Sequence, residues 1–130
     1  MAERLSGAGR LVDAVNLLDQ MAEADRRRPQ VMFARAVLLI DLGRAGEAEP
    51  VLARLINRQP DITRIRLEHG RALAAIGHYG AAERELRRAL ADNPPPAVVA
   101  SVDTALRGIR SNRRLFGSIS GGLAPDTNIN

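Results

Sequence analysis

Apolar residues along this chain recur at three- and four-residue steps, which is the spacing that places them on one face of an α-helix. The helices that this pattern predicts cover residues 11–24, 30–42, 45–57, 61–76, 79–91 and 97–110. Residues 1–6 are predicted to be the end of an earlier helix that stops at Gly7–Gly9. After residue 110 the helical period is lost, and small and apolar residues alternate instead.

The predicted helices recur with a fixed period of about 34 residues, a spacing typical of helix-turn-helix arrays. Four residues of one hairpin recur one period later in the next: Gly43, Ala48, Leu52 and Pro60 become Gly77, Ala82, Leu86 and Pro94. Each suits its place, because glycine ends a helix in a left-handed conformation, alanine lets two helices approach, leucine fills the space between them and proline ends the second helix. Since Gly9, Ala14 and Leu18 stand one period earlier, the pattern predicts an all-α helix-turn-helix solenoid of about three repeats, the first of them partial.

These residues resemble the tetratricopeptide repeat, in which small and apolar residues of a first helix are followed by Ala-x3-Leu in a second helix and then by proline. The matching positions in the two full hairpins are Ala36, Leu39, Ala48, Leu52, Pro60 and Gly70, Leu73, Ala82, Leu86, Pro94. The chain departs from the family pattern at Met32 and Arg66, where the family prefers tryptophan, and at Arg35 and His69, where it prefers leucine. The resemblance implies a TPR-like solenoid over residues 1–110, closed by the helix at 97–110.

The composition of the chain limits the classes of function that we expect. The net charge is +4, all 19 basic residues are arginine, and the acids are interleaved with them. Only 2% of the residues are aromatic, so the stacking platforms and segregated basic face of a nucleic-acid binder are absent and no nucleic-acid partner is expected. The two histidines, His69 and His78, are expected to serve packing or capping, and the sequence has neither a phosphate loop nor a cysteine for a metal site. We therefore expect no enzyme activity, no cofactor and no metal.

Residues 111–130 are predicted to be extended, either as a tail or as the first strand of a barrel that lies beyond this sequence. From Pro94–Pro96 onward, the arginines at 113–114, the alternating segment to Leu123 and the closing Asp126-Thr127-Asn128-Ile129-Asn130 resemble the surface lipoprotein assembly modulator family. That resemblance implies a periplasmic repeat domain, a C-terminal outer-membrane barrel and a role in the export of surface lipoproteins. A disordered tail is the alternative interpretation.

The binding surface is expected on the concave side of the solenoid, which is lined by the first helix of each repeat. The residues that fall there are Phe33, Val37, Ile40, Arg64, Leu67, Glu68 and Arg71. An apolar shelf beside two guanidinium groups suits an extended or helical peptide with carboxylates. The alternative is that Phe33 and Leu67 belong to the core and that the arginines keep the surface soluble.

Two functions remain open. The protein is either a periplasmic interaction domain that binds a lipoprotein client or the barrel, or a general TPR scaffold of the cytoplasm or periplasm that binds peptides. Contact with a membrane is expected only through the barrel beyond this sequence. An array that begins with half a hairpin also predicts further repeats upstream and self-association through the apolar side of residues 11–21, hence a homo-oligomer.

Overall fold

The computed structural model of the protein describes the backbone of residues 2–91 and 93–128 and the side chains of residues 7–91 and 93–112. The described backbone forms seven helices: α1 (Ala2–Asp19), α2 (Glu23–Arg26), α3 (Pro29–Asp41), α4 (Ala45–Arg58), α5 (Thr63–Ala75), α6 (Tyr79–Leu90) and α7 (Pro96–Asn128). Helices α3 and α4 form one hairpin, α5 and α6 form the next, and α7 packs on both α5 and α6. The prediction of an all-α, TPR-like solenoid is confirmed.

Glycine ends the first helix of each hairpin. Gly43 has a φ of +80° and Gly77 a φ of +87°, a left-handed conformation that costs glycine little because it has no Cβ. At the first turn, the amide of Gly43 donates to the carbonyl of Ile40 at 3.0 Å and the amide of Arg44 donates to that of Leu39 at 2.7 Å. This pair of bonds is the Schellman motif, and Gly77 forms the same pair, so the recurrence in the sequence repeats a backbone conformation.

The helices of each hairpin meet at the predicted positions. Ala48, Leu52, Ala82 and Leu86 are all fully buried, at 0% exposure. Pro50, the sixth residue of α4, lies inside the helix without ending it. Its missing amide removes one intrahelical bond, the one to the carbonyl of Gly46 in the first turn.

Helix α5 divides the buried apolar residues into two clusters. Ile65 and Ala72 of α5 pack with residues of α1, α3 and α4. Leu67 and Leu73 pack instead with α6 and α7. Glu68 and His69, which are 3% and 8% exposed, lie on α5 between these apolar positions, so polar side chains are buried at the junction of two repeats.

The N-terminal prediction is wrong in one respect: α1 is continuous through Gly7 and Gly9. Glycine permits a helix stop without forcing one, and a continued helix keeps the backbone groups hydrogen-bonded where no described helix precedes α1 to form a hairpin with it. The helix ends at Asp19, before the predicted Ala24. Its apolar stripe is partly covered by α3, with Val15 only 2% exposed, whereas Leu17 is 66% exposed.

The C-terminal segment also differs from the expectation, since α7 is helical to Asn128 and the strand expected between Ser118 and Leu123 does not form. A strand needs a neighbour for its backbone groups, whereas a helix satisfies them within its own segment. Ile129 and Asn130 lie outside the described residues. The division of the chain near residue 110, and pairing with strands beyond Asn130, stay predictions. No helix in the described part of the chain has both the length and the apolar character needed to cross a bilayer.

Candidate functional site: two cavities beside helix α5

Four of the predicted binding residues lie along one groove. Arg64, Leu67, Glu68 and Arg71, from successive turns of α5, face α7 across a cavity of about 530 Å³, which we call the α5–α7 groove. The α7 side is formed by small side chains: Ala97, Val98, Ala100, Ser101, Thr104 and Ala105. Because the side chains on the α7 side are small, the space between the two helices is left open.

The two arginines of this groove differ in their surroundings. Arg71 Nη1 lies 2.6 Å from Glu68 Oε1, and its Nη2 lies 3.5 Å from Asp41 Oδ1 on α3. The Glu68 side chain is only 4% exposed, so Arg71 supplies the charge partner that a buried carboxylate requires. Arg71 is therefore already engaged by two carboxylates, and its predicted contact with a ligand carboxylate stays a prediction.

Arg64 is exposed and has no hydrogen bond or ion pair with any side chain that the structure describes. It also borders a second, smaller cavity of about 220 Å³, which we call the Phe33 pocket. The other residues of this pocket are Pro29, Gln30, Phe33, Gln59, Ile62 and Ile65. Arg64 thus stands between an apolar pocket and a groove of small residues, with its donors available to a ligand.

The predicted apolar residues differ in their surroundings. Leu67 is 5% exposed and belongs to the cluster of α6 and α7, so its side chain contributes more to the core than to a surface. Ile40 packs against the cluster of α3 and α4. Neither Ile40 nor Val37 lines the α5–α7 groove or the Phe33 pocket. The apolar shelf is consequently narrower than the sequence suggested and centres on Phe33.

Sequence reasoning missed the α7 wall, although the repeat period could have found it. Val98, Ser101 and Ala105 stand one repeat period after Arg64, Leu67 and Arg71. Each of the three lines the groove, which means that α7 occupies the place of the next first helix and presents the same face. Ile62, in the connection before α5, carries no such signal, because its place beside Phe33 depends on the path of the connection between α4 and α5.

A buried ionic cluster lies on the opposite side of α5. His69 Nε2 is 2.8 Å from Glu49 Oε2 on α4, and His69 Nδ1 is 3.1 Å from Glu85 Oε2 on α6. The other carboxylate oxygen of Glu85 lies 2.6 Å from Arg66 Nη1. A neutral imidazole has one donor and one acceptor nitrogen, so both histidine contacts are hydrogen bonds only when both nitrogens carry protons.

This cluster joins helices α4, α5 and α6. Both ring nitrogens of His69 face carboxylates, and the two carboxylates lie on opposite sides of the ring. Among the side chains described, no group of three His, Cys, Asp or Glu residues could hold a metal ion. The arrangement in and around the two cavities offers hydrogen bonding, ion pairing and apolar contact, which are the means of noncovalent recognition.

Comparison with known proteins agrees with the class that this fold defines, a helical repeat domain. Residues 5–64 match the family model described as a tetratricopeptide repeat. The rat protein named DnaJ homolog subfamily C member 3 is 29% identical over 94 residues, which make up 72% of this chain and 19% of that relative. Its human counterpart is 28% identical over the same length. The chicken protein is 26% identical over 116 residues, which are 89% of this chain and 23% of the relative.

These matches support a TPR repeat domain, which suggests a protein–protein interaction scaffold. The chain spans about a fifth of the length of the curated relatives it matches. No solved structure matches it. The resemblance of the C-terminal segment to the surface lipoprotein assembly modulator family is not shown by any of these matches.

Proposed function

We propose that the protein is an interaction module that binds a peptide segment of a partner protein along the α5–α7 groove and the Phe33 pocket. The observation that carries this proposal is the position of Arg64, exposed and unpartnered among the described side chains, at the border of both cavities. A guanidinium group with free donors suits a carboxylate, and the pocket beside it suits an apolar side chain. The expected ligand is therefore an extended or helical peptide with an acidic group next to an apolar residue.

The proposal is tested by selecting short peptides that bind the protein from a display library and measuring each by calorimetry. The selected peptides should carry a carboxylate near an apolar side chain. Arg64→Gln should weaken them by up to about fivefold, the most that an exposed ion pair usually contributes. Arg54→Gln is the matched control, because Arg54 is exposed on α4 and lines neither cavity. Selected peptides that bind the Arg64→Gln variant as tightly as the wild type would contradict the proposal.

We propose further that the partner is a lipoprotein client and that the domain acts on the periplasmic side of a bacterial outer membrane, attached to a barrel. The support is the resemblance of residues 94–130 to the surface lipoprotein assembly modulator family. The test is fractionation of cells that express the native gene, followed by deletion of the gene and measurement of lipoprotein exposed at the cell surface. An outer-membrane location and a loss of surface lipoprotein are the expected results.

The second candidate is a general TPR scaffold of the cytoplasm or periplasm. The match of residues 5–64 to the tetratricopeptide repeat favours this interpretation as much as the first, because it concerns the repeats alone. A native protein in the soluble fraction, with unchanged lipoprotein at the surface after deletion, would favour the scaffold. Self-association stays a prediction as well, and light scattering at rising protein concentration would test it.

A further inference from the structure

A second surface groove, separate from the proposed peptide site, lies between α5 and α6. It has a volume of about 670 Å³ and is lined by His69 and Leu73 of α5 and by a stripe of α6 that includes Arg84 and Arg88. We call it the α5–α6 groove. Because each helical residue is rotated by about 100° from the last, residues 69 and 73 lie on the side of α5 opposite to residues 64, 68 and 71. A ligand in one groove therefore does not occupy the other.

Two arginines in this groove have no partner among the side chains that the structure describes. Arg84 and Arg88 are exposed, stand one helical turn apart on α6, and form no hydrogen bond or ion pair within the described part of the chain. Their neighbour Arg87 differs, since its Nη2 lies 3.5 Å from Glu83 Oε2. Like charges four residues apart on a helix repel each other, so an anion placed between them would relieve that repulsion and accept hydrogen bonds from both.

The carboxylates next to the groove are already engaged. Glu85, which lines it, contacts Arg66 at 2.6 Å and His69 at 3.1 Å, and its side chain is only 14% exposed. His69 also contacts Glu49 at 2.8 Å. Glu85 cannot turn outward to neutralise Arg84 and Arg88 without breaking its largely buried ion pair with Arg66. The positive charge of the groove is therefore left for a partner to satisfy.

We propose that the α5–α6 groove binds an acidic segment of a partner protein, with carboxylates on Arg84 and Arg88 and a small apolar side chain against Leu73 and Ala81. The choice of a polypeptide follows from the lining, which combines the apolar side chains of Leu73, Ala81 and Ala91 with charged ones. A flat anionic membrane would engage exposed arginines wherever they stand, and Arg54 and Arg58 on α4 would serve it equally. A narrow chain with alternating acidic and apolar groups uses the groove itself.

The test measures binding of a fluorescein-labelled peptide of glutamates around one central alanine, by anisotropy at low and at physiological salt. Arg84→Gln/Arg88→Gln should weaken the peptide by about five- to twentyfold, because each exposed ion pair contributes a factor of up to about five. The matched control is Arg54→Gln/Arg58→Gln, which removes the same charge from an exposed pair one turn apart on α4. That control should change the affinity by less than about twofold, an effect on net charge alone.

Three results would overturn the proposal. Equal weakening in both double variants would show attraction to net charge without a site. Loss of binding in Arg64→Gln, with none in Arg84→Gln/Arg88→Gln, would place the peptide in the α5–α7 groove and leave the proposed function standing. Binding to vesicles containing an anionic phospholipid, with none to the peptide, would identify a membrane surface as the ligand. Circular dichroism of each variant checks that the helices are intact, as expected for exposed side chains.

Discussion

Gly70 is a position where the two helices of the third repeat lie in close contact. A Cβ added there would lie 2.7 Å from both Cγ and Cδ2 of Leu86, and 3.5 Å from the carbonyl oxygen of Ala82. Leu86 is fully buried in the cluster formed with α7. Because Cγ is as close as the terminal methyl group, a rotation of that methyl group cannot relieve the contact. Gly70→Ala therefore has two opposing effects on stability. The higher helix propensity of alanine stabilises the protein, and the contact with Leu86 destabilises it.

The relative size of these two effects decides whether Gly70→Ala raises or lowers the free energy of unfolding. Replacing glycine by alanine inside a helix stabilises it by about 1 kcal/mol, since alanine loses less backbone freedom on folding. An extra methyl group in a filled core costs about 1–3 kcal/mol in displaced side chains and backbone. The contact here is well below van der Waals distance and involves the branch point of Leu86, so the cost should lie in the upper half of that range. We expect Gly70→Ala to lower the free energy of unfolding by about 1–2 kcal/mol.

The measurement is urea denaturation followed by the helical circular dichroism signal. Gly108→Ala is the matched control, because Gly108 lies inside α7 and a Cβ there would meet nothing within 4 Å. The control should raise the free energy of unfolding by about 1 kcal/mol. Adding Leu86→Ala to Gly70→Ala should cost less than Leu86→Ala costs alone in the wild type, since the two changes share one contact. If Gly70→Ala stabilises the protein as much as the control, the reasoning is refuted.

The second repeat has alanine at the position equivalent to Gly70. Ala36 and Leu52 stand one repeat period before Gly70 and Leu86, and they are 1% and 0% exposed. An alanine methyl group therefore fits against leucine in the α3–α4 hairpin. In the α5–α6 hairpin glycine stands at the equivalent contact, and an added Cβ there would lie 2.7 Å from Leu86. Ala36→Gly should accordingly destabilise its hairpin by leaving a small void and a more flexible helix.

Three further predictions follow from single groups. Gly77→Ala should lower the free energy of unfolding by about 1–2 kcal/mol, measured by urea denaturation, because alanine must adopt a φ of +87°. Arg71→Ala should destabilise by about 1–3 kcal/mol, since it leaves the buried Glu68 unpaired, and Arg71→Lys should restore part of the loss. The hydrogen bond from Arg44 holds the pKa of Glu47 below its ordinary value of 4.5, so this pair stabilises the fold above the unfolded pKa and the contribution is lost as pH falls through the lowered value. Carboxyl NMR titration should show the lowered pKa in the wild type and an ordinary one in Arg44→Gln.

Much of the fold followed from local chemistry. Gly43 and Gly77 end helices because only glycine takes the left-handed conformation cheaply, and that property can be recognised in a sequence. Ala48 and Leu52 recur one period later as Ala82 and Leu86 because helices crossing at a fixed distance require a small residue and then a large one. Such requirements repeat with the architecture, so the period predicted the hairpins and could have predicted the α7 wall. Gly9 shows the limit, since the same residue type remains helical where no hairpin partner is described.

The ionic contacts were much harder to predict. The spacing of Glu68 and Arg71, three residues apart on one helix, indicated a pair, and the sequence-based interpretation missed it. The contact of Arg71 with Asp41 could not be inferred, because it depends on how α5 rests on α3. Glu49, His69 and Glu85 belong to three helices, and no periodic pattern brings them together. Each side chain looks like an ordinary surface or core residue until the helices are packed, so only the tertiary structure reveals the cluster.

The ion pairs of Arg71 affect which arginine of the α5–α7 groove can bind a ligand carboxylate. A ligand carboxylate that approached Arg71 would compete with Glu68 at 2.6 Å and Asp41 at 3.5 Å, and displacing Glu68 would leave a buried charge unpaired. A carboxylate at Arg64 meets no such competitor among the described side chains. Arg71 is thus held in place by the preceding repeat through Asp41 and shapes the groove, while Arg64 is the group that can gain from a ligand. Arg64→Gln should therefore lower the affinity for the peptide with little effect on stability. Arg71→Ala should lower stability with little effect on that affinity.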